Sequence, residues 1–186
     1  MSKTWLIVVI VIIAILALGG IALNCTFSGP SGSTPQSKNA TDFTLPTLTG
    51  ANITLSELEG TQVVLNFWAT TCQYCEKQLP YLESVARQSV GNITVIAIDV
   101  GQNASKVQDF LQSHFGTNET AMIVALDANG ATFVTYCQNY GDSGGYIPLT
   151  LFADSEGVIQ YERIGAFASE AELWNALHSV FGITIP

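Results

Sequence analysis

Positively charged and metal-ligating residues are scarce in this sequence. Six Lys and Arg stand against fifteen Asp and Glu among 186 residues, which gives a formal net charge of −9. Because a nucleic-acid partner needs basic side chains to neutralise phosphates, we expect no nucleic-acid binding. A structural zinc site needs four Cys or His ligands at suitable spacing. His114, His178, Cys25 and Cys137 are isolated from one another, so no metal site is expected.

Charge is absent altogether from residues 5–23, a run of 19 mostly apolar residues. At about 1.5 Å per residue, a helix of this length spans roughly 28 Å, close to the thickness of a bilayer core. A retained membrane anchor is favoured because the run exceeds the usual apolar length of a signal peptide. A cleaved signal stays open, since Gly20 and Ala22 are small residues of the kind that signal peptidase accepts. Lys3 precedes the run and the next basic residue is Lys38, so the N-terminus is predicted to be cytoplasmic and the rest extracytoplasmic.

Residues 24–41 are rich in Ser, Thr, Gly, Pro and Asn and cannot bury much apolar surface. This composition predicts a flexible tether between the membrane segment, residues 1–23, and a folded domain, residues 42–186. Cys25 lies at the start of the tether. Lipidation there is disfavoured, because Asn24 fits poorly among the residues that precede a lipidated cysteine. A free or oxidised juxtamembrane thiol is the favoured alternative.

The pair Cys72 and Cys75 carries the strongest chemical signal. Residues 63–68 favour a β-strand, and apolar residues at helical spacing, Leu79 and Leu82, follow the cysteines. A thiol at a helix N-terminus lies among unpaired backbone N–H groups, which favour its thiolate. The second thiol, one turn further on, can then resolve a mixed disulfide. The pattern predicts a dithiol–disulfide exchange site with Cys72 as nucleophile and Cys75 as resolving thiol. Half of a zinc site and inert structural cysteines are the alternatives.

The segment FWATTCQYC, followed by Pro80, resembles the thioredoxin superfamily, and in particular its membrane-tethered TlpA, ResA and CcmG/DsbE branch. The resemblance extends from residue 42 to the C-terminus and includes DFTLPTLTGANITLSELEG, VIAIDVG and YIPLTLFADSEGVIQYERIG. It implies an α/β thioredoxin-like fold, in which helices flank a central mixed β-sheet. An N-terminal β-hairpin extension and an N-terminal transmembrane helix would precede that core.

The same resemblance implies which residues meet a substrate. Pro148 occupies the place of the family's cis-proline beside the cysteines, and Ile147 before it would offer its backbone to a substrate strand. Trp68, Gln73 and Tyr74 are the other predicted substrate-binding residues. No cofactor is implied apart from the redox-active disulfide between the two cysteines.

The sequence departs from the family at the buried carboxylate that helps to move protons at the resolving cysteine. Asn66 and Gln78 stand where different branches carry Asp or Glu, and an amide is not a proton acceptor. Glu76 is close in sequence, but its helix position predicts that it faces solvent. We therefore expect an altered rate or pH dependence rather than inactivity. Cys137 is a further departure, and it is a small buried hydrophobe, a third redox thiol or a disulfide partner of Cys25.

The remaining pattern predicts strands that alternate with helices, closed by a hairpin and a last helix. Ser56 and Glu59 have the form of a capping box at a short helix. Either Asn103 or Ser105 is expected to cap a later helix, and Ser169 the last one. The predicted strands are residues 43–48, 52–55, 63–68, 93–100, 122–126, 149–152 and 158–163, and residues 131–140 are predicted to be helical.

Asn-x-Ser/Thr triplets are frequent after the apolar run, where chance would give about two. Six occur, at Asn24, Asn39, Asn52, Asn92, Asn103 and Asn118. Two interpretations stay open: these residue types gather in turns, or the chain is an exported, N-glycosylated protein.

These observations together predict a membrane-anchored, extracytoplasmic thiol–disulfide oxidoreductase that reduces disulfides in exported proteins. The resemblance implies protein thiols and disulfides as partners, apocytochrome c among them, and a membrane electron donor of the thiol-transporter type. A thiol oxidase of the same fold, a thioredoxin-fold peroxidase that resolves through Cys137, and a redox-inactive binding or chaperone domain are the alternatives. The residues between the cysteines leave the reduction potential, and with it the direction of transfer, open.

Overall fold

A six-stranded mixed β-sheet forms the centre of this computed structural model, which describes residues 38–117, 119–140 and 144–183. The predicted membrane segment, most of the tether and Cys25 lie outside the described residues. The strands are β1 (Lys38–Asn39), β2 (Thr44–Pro46), β3 (Asn52–Thr54), β4 (Gln62–Trp68), β5 (Ile93–Val100), β6 (Ile123–Asp127), β7 (Leu149–Ala153) and β8 (Val158–Ile164). The helices are α1 (Gln73–Gln88), α2 (Ala104–Phe115), α3 (Ala131–Asn139) and α4 (Glu170–Phe181), with a 3₁₀ helix at Leu55–Leu58.

Strands β4 and β5 lie inside the sheet, whose order is β1-β8-β7-β4-β5-β6. Strands β4, β5 and β6 are parallel, whereas β7, β8 and β1 run antiparallel to their neighbours. Strands β2 and β3 form the predicted hairpin apart from this sheet. Because helices cover both faces, β4 and β5 are almost continuously buried apolar runs. Their register sets Trp68 opposite Asp99 at the carboxyl ends of the two strands. The mixed sheet, flanking helices and hairpin expected from the resemblance are all present.

Each face of the sheet has its own apolar core. The dithiol face packs against α1, α2 and α4, and its strand residues include Val64, Trp68, Val95 and Ala97. The α3 face packs against α3 and the β2–β3 hairpin, and its strand residues include Val63, Leu65, Phe67, Ile96 and Ile98. Because side chains alternate along a strand, the buried polar residues of β4 and β5, Asn66 and Asp99, belong to the dithiol face.

Side chains cap three of the four helices in the described residues. Cys72, Asn103 and Ser169 each precede a helix and accept a hydrogen bond from the backbone N–H three residues further on. This capping satisfies one of the unpaired donors of the first turn. The predicted caps at Asn103 and Ser169 are confirmed. Gly116 and Gly182 end α2 and α4 in the left-handed conformation that glycine adopts without a steric cost.

The predicted capping box at Ser56 is wrong. Thr54 precedes the 3₁₀ helix, and no side chain caps it. Ser56 donates its backbone N–H and its hydroxyl to the two carboxylate oxygens of Asp42, each at 2.9 Å. A charged carboxylate is a stronger acceptor than a neutral group, so the link to the segment before the hairpin replaces the expected cap.

Strand β1 lies inside the segment whose composition predicts a tether. Lys38 and Asn39 pair with Ile159 and Val158, and the carbonyl oxygen of Asn39 accepts a 2.6 Å hydrogen bond from the Tyr140 hydroxyl. The folded domain therefore includes residue 38, ahead of the predicted boundary at 42. Composition does not predict this strand, because the backbone of β8 and the Tyr140 hydroxyl hold it in place. Its own side chains contribute no apolar pattern.

Among the helices of the described ranges, none is long and apolar enough to cross a membrane.

Candidate active site

The disulfide lies at the N-terminus of α1, shortly after the end of β4. Cys72 is the N-cap residue of α1, and Cys75 lies in the first turn. The two Sγ atoms are bonded at 2.10 Å, and the Cys75 N–H donates to the Cys72 Sγ at 3.1 Å. After reduction the same donor and the helix dipole would stabilise a thiolate on Cys72. Cys72 is partly exposed, whereas Cys75 is 1% exposed, so an incoming disulfide can reach Cys72 but not Cys75. This asymmetry fits the predicted roles of nucleophile and resolving thiol.

The loop that precedes β7 lies beside Cys72. The peptide bond between Ile147 and Pro148 is cis, as the resemblance implies. The Cys72 Sγ lies 3.7 Å from the carbonyl oxygen of Ile147. The Pro148 carbonyl accepts a 2.8 Å hydrogen bond from the Gly165 N–H, which ties the loop to the end of β8. Two of the predicted substrate-binding residues therefore lie next to the reactive sulfur.

The other predicted substrate-binding residues divide into exposed and buried ones. Gln73 and Tyr74 are exposed, Tyr74 to 65%. Of the three tyrosines that the sequence offers near the Pro148 loop, Tyr146 is 66% exposed, whereas Tyr136 and Tyr140 are buried. Trp68 is completely buried, with its ring centroid 5.3 Å from that of Phe110. Trp68 therefore supports the site from inside and offers no surface to a substrate.

The two amides that replace the family's carboxylates meet at one hydroxyl group. Asn66 Nδ2 and Gln78 Nε2 donate to the Thr150 Oγ at 3.0 and 3.1 Å. The Gln78 Oε1 accepts a 2.9 Å hydrogen bond from the Phe167 N–H. The three side chains are at most 1% exposed. Buried polar groups that are paired in this way rigidify their surroundings, and none of these groups titrates near neutrality. The cluster joins β4, α1 and β7 and supplies no acid or base.

Glu76, the residue after Cys75, faces the surface and contacts α2. Its Oε1 lies 3.0 Å from the Nε2 of His114. The His114 ring stacks on Phe110, with the two centroids 3.9 Å apart and the planes at 18°. Glu76 is 48% exposed at its side chain, which agrees with the prediction that it faces solvent. Its contact with His114 could not be predicted from the sequence, because the two residues lie on different helices.

A buried carboxylate does lie on the dithiol face, at a position that the sequence analysis did not single out. Asp99 is 0% exposed, and neither of its carboxylate oxygens has a hydrogen-bond partner among the described residues. Burial raises the pKa of this carboxyl group from 3.8 to about 7, and the charge of Asp127 adds to the rise. The backbone N–H of Gln102 and the charge of Lys106 lower the pKa. The available signal was one acidic residue near the end of an otherwise apolar strand, ITVIAIDV.

Cys137 lies on the opposite side of the sheet from the disulfide. It is 7% exposed and packs in the core of the α3 face, whereas Cys75 packs in the core of the dithiol face. The sheet therefore separates the two sulfurs, which argues against Cys137 as a resolving thiol for Cys72. The interpretation of Cys137 as a small buried hydrophobe fits this position. The suggested partner, Cys25, lies outside the described residues.

Disulfide exchange is the chemistry that this arrangement supports, because one accessible sulfur is stabilised as a thiolate and a second, sheltered sulfur lies within bonding distance. By fold and by site, the protein is a thioredoxin-like thiol–disulfide oxidoreductase. Residues 37–162 match the AhpC/TSA family, and the chain belongs to that family.

Named relatives agree with this class. The thiol-disulfide oxidoreductase ResA of Bacillus subtilis is 35% identical over 152 residues, which cover 81% of this chain and 78% of ResA. A secreted Mycobacterium tuberculosis disulfide oxidoreductase homologous to E. coli DsbE is 25% identical, with a TM-score of 0.60 over 74% of this chain and 95% of its own. A thioredoxin-family thiol:disulfide interchange protein from Chlorobium tepidum, at 19% identity, shares the fold with a TM-score of 0.66 over 78% of this chain and 97% of its own. The resemblance expected from the sequence is confirmed.

Proposed function

We propose that this chain is a membrane-anchored, extracytoplasmic reductase of protein disulfides. The observation that carries the proposal is the asymmetry of the cysteine pair. Cys72 is partly exposed at a helix N-terminus and accepts a backbone N–H, whereas Cys75 is buried behind it. An exchange enzyme needs this division between an attacking thiol and a sheltered resolving thiol.

The reaction moves two electrons to the substrate. The Cys72 thiolate attacks one sulfur of a substrate disulfide, so a bond from Cys72 to the substrate forms, the substrate disulfide breaks, and one substrate thiolate leaves and takes up a proton. Cys75 then loses its proton and attacks the Cys72 sulfur. The second substrate thiolate leaves, takes up that proton, and the Cys72–Cys75 disulfide remains. A membrane electron donor of the thiol-transporter type would return two electrons by the same exchange in reverse.

The substrate would lie across Cys72 as an extended segment. The backbone of Ile147 beside the Cys72 sulfur can pair with such a segment, as an added strand does. The exposed side chains of Gln73 and Tyr74 would contact residues that flank the target cysteine. Pro148 has no N–H that could compete for substrate carbonyl groups.

Insulin reduction by the full-length protein tests the activity, and the reduction potential tests its direction. A reductase is expected to have a potential near the −270 mV of thioredoxin, whereas a value near −120 mV would identify the alternative, a thiol oxidase. The Cys72→Ser variant serves as the inactive control. Absence of reduction, oxidation and peroxide turnover in the wild-type protein would reject the proposal and favour a redox-inactive binding or chaperone domain.

Membrane anchoring and the extracytoplasmic position rest on the sequence. Residues 5–23 carry no charge and Lys3 precedes them, a pattern that orients a single span with its N-terminus inside. The Mycobacterium tuberculosis relative is secreted. Protease treatment of intact spheroplasts is expected to digest the domain, and carbonate washing should leave the uncleaved chain in the membrane. A mature N-terminus beyond residue 23 would show a cleaved signal peptide instead.

Apocytochrome c is the proposed substrate class, by resemblance to the ResA and DsbE branch. Its C-x-x-C-H haem-attachment site needs free thiols to receive haem. An oxidised C-x-x-C-H peptide should therefore be reduced faster than a matched C-x-x-C-A peptide or insulin. Equal rates for the three would indicate a general reductase of exported proteins.

N-glycosylation is the proposed modification of the exported domain. The four sequon asparagines within the described residues are all exposed: Asn39, Asn52, Asn92 and Asn103. The other two, Asn24 and Asn118, lie outside them. Mass spectrometry of the protein from its native source should show glycan at these sites. Unmodified peptides at all six would reject this part of the proposal.

A further inference from the structure

Three carboxylates are buried in the described part of the chain, and they differ in their partners. Glu83 accepts backbone N–H groups from the segment before β6 and pairs with Arg87. Asp127 accepts a 2.8 Å hydrogen bond from the Phe133 N–H. Among the described residues, neither oxygen of Asp99 accepts a hydrogen bond of normal geometry, although the Gln102 N–H lies close enough to lower its pKa. Because an unpaired buried polar group costs free energy, its position on the dithiol face requires an explanation beyond packing.

The neighbour of Asp99 in the sheet is the residue that leads into the cysteine turn. Trp68 lies opposite Asp99 in the β4–β5 register and on the same face. Its Nε1 is also buried and has no hydrogen-bond partner in the part of the chain that the structure describes. Indole nitrogen only donates and a carboxylate oxygen accepts. Two residues that carry unpaired groups of complementary type are therefore neighbours in the sheet, on the face that carries the disulfide. A bridging water could satisfy both groups.

A second contact joins the end of β5 to the cysteine turn. The Thr70 N–H donates to the Gln102 Oε1 at 2.9 Å. Thr70 belongs to the turn between Trp68 and Cys72, and Gln102 belongs to the turn that follows β5. A change in the charge of Asp99 therefore acts at the end of β5, which is hydrogen-bonded to the turn that leads to Cys72.

We propose that Asp99 is a positioning residue of the dithiol, whose charge sets the pH range in which Cys72 becomes a thiolate. Asp99 does not touch the substrate. Its ionised form places a negative charge on the dithiol face and opposes a second negative charge on Cys72. Its protonated form removes that opposition. The inference rests on the proposed function only in that it takes Cys72 as the reacting thiol.

The surrounding charges leave Asp99 free to change its protonation near neutral pH. Lys106 on α2 and Asp127 on β6 act on it with opposite signs. On α1, Glu76 lies at the surface with its Oε1 3.0 Å from the His114 Nε2. Burial is the largest influence and brings the pKa of Asp99 to about 7. Because coupling between two sites is mutual, a thiolate on Cys72 must raise the pKa of Asp99 as much as ionised Asp99 raises the pKa of Cys72.

The test follows alkylation of Cys72 by iodoacetamide across pH 4 to 10 in the reduced, full-length protein in detergent. Mass spectrometry of the peptide that contains Cys72 separates this thiol from the other three. We expect the wild-type profile to show a second inflection near pH 7 and the Asp99→Asn profile to lack it. The Cys72 midpoint should fall by on the order of 0.5–1 pH unit. At a pH below that midpoint, alkylation should be roughly three to ten times faster.

Asp127→Asn is the matched control, because it neutralises a buried carboxylate on the other face. It should keep both inflections, with the inflection of Asp99 at a lower pH because the charge of Asp127 no longer raises its pKa. Identical profiles for wild type and Asp99→Asn, or the same change in both variants, would overturn the inference.

A measurement on the wild type covers the case in which Asp99→Asn does not fold. Carbon NMR of the labelled Asp99 carboxyl group should give a higher titration midpoint in the reduced protein than in the oxidised protein. Equal midpoints would overturn the inference. Failure to reduce insulin, with this coupling intact, would reject the proposed function and leave the role of Asp99 standing.

Discussion

The two faces of the central sheet treat their buried polar groups differently. On the α3 face, Asp127 accepts the Phe133 N–H and the Tyr136 hydroxyl donates to the Thr41 carbonyl oxygen at 2.7 Å. On the dithiol face, Asp99 and the indole nitrogen of Trp68 make no hydrogen bond of normal geometry within the described ranges. Unsatisfied polar groups reduce stability, and here they gather behind the reactive disulfide. The dithiol face also holds the paired amide cluster, so its loss of stability is confined to Asp99 and Trp68.

The two faces also differ in the pH range over which their buried titratable groups change protonation. Burial raises the pKa of Tyr136 far above its usual range, and neighbouring Tyr140 and Asp42 add to the rise. Its hydroxyl therefore remains a hydrogen-bond donor throughout the range in which the protein is folded. Burial brings the pKa of Asp99 to about 7, so the dithiol face changes charge near neutrality. The buried tyrosine of the α3 face therefore keeps its proton at the pH at which the buried Asp99 of the dithiol face changes charge.

The largest effect should come from replacing the cysteines of the two faces with serine, one at a time. Cys72→Ser removes the attacking sulfur, so insulin reduction should fall by a factor on the order of 10³ or more. Cys137→Ser, on the α3 face, should leave the rate unchanged and lower the free energy of unfolding by about 1 kcal/mol, because a hydroxyl replaces a buried thiol. Cys75→Ser should accumulate a mixed disulfide with substrate, visible on a non-reducing gel. A comparable loss of rate in Cys137→Ser would show that the faces are not independent.

The next effect concerns stability at Asp99. Its pKa in the folded protein, about 7, lies above the unfolded value of 3.8, so the native state binds this proton more tightly. The contribution of this proton to wild-type stability is therefore fully present below about pH 4 and is lost as the pH rises to 7. Asp99→Asn should remove this loss, and should be more stable than wild type by about 2–4 kcal/mol above pH 7 and by little at pH 4.

Urea unfolding of the full-length chain in detergent at several pH values measures this difference. Asp127→Asn is the control from the other face. It weakens the acceptor for the Phe133 N–H and should be less stable by about 1 kcal/mol. An Asp99→Asn variant whose stability falls with pH as steeply as that of wild type would show that another group is responsible.

The sequence predicts most of the secondary structure and part of the candidate active site. Residues 93–100 are a strand as predicted, and the other predicted strands match to within two residues, because burial leaves an alternating or continuous apolar pattern. The cysteine pair and its helix follow from spacing alone. The pairing of Trp68 with Asp99 could not be predicted, because it depends on the register between two strands. Strand β1 was missed for a similar reason, since the distant Tyr140 and β8 hold it.

A smaller loss of stability is expected from Thr150→Val on the dithiol face. The substitution keeps the shape of the side chain but removes the oxygen that accepts from Asn66 and Gln78. Two buried N–H donors would lose their acceptor, at a cost of about 2–3 kcal/mol. Thr135→Val is the control on α3, where the hydroxyl only donates to the Ala131 carbonyl within the helix, and should cost less than about 0.5 kcal/mol. Equal losses of stability in the two variants would mean that water reaches the amide cluster and replaces the lost acceptor.

The smallest effect should come from Tyr140→Phe on the α3 face. The Tyr140 hydroxyl donates to the Asn39 carbonyl and accepts the Thr41 N–H at 3.1 Å, so it fastens β1 to the domain. Its removal should cost about 1 kcal/mol. Amide hydrogen exchange should quicken at Ala40 and Thr41 while the protection of β4 and β5 stays unchanged, because local opening of an end segment leaves the core intact. Tyr74→Phe, which alters an exposed ring, should change neither. If exchange in β4 quickened as well, β1 would be part of the cooperative core and the α3 face would contribute more to global stability than its hydrogen bonds indicate.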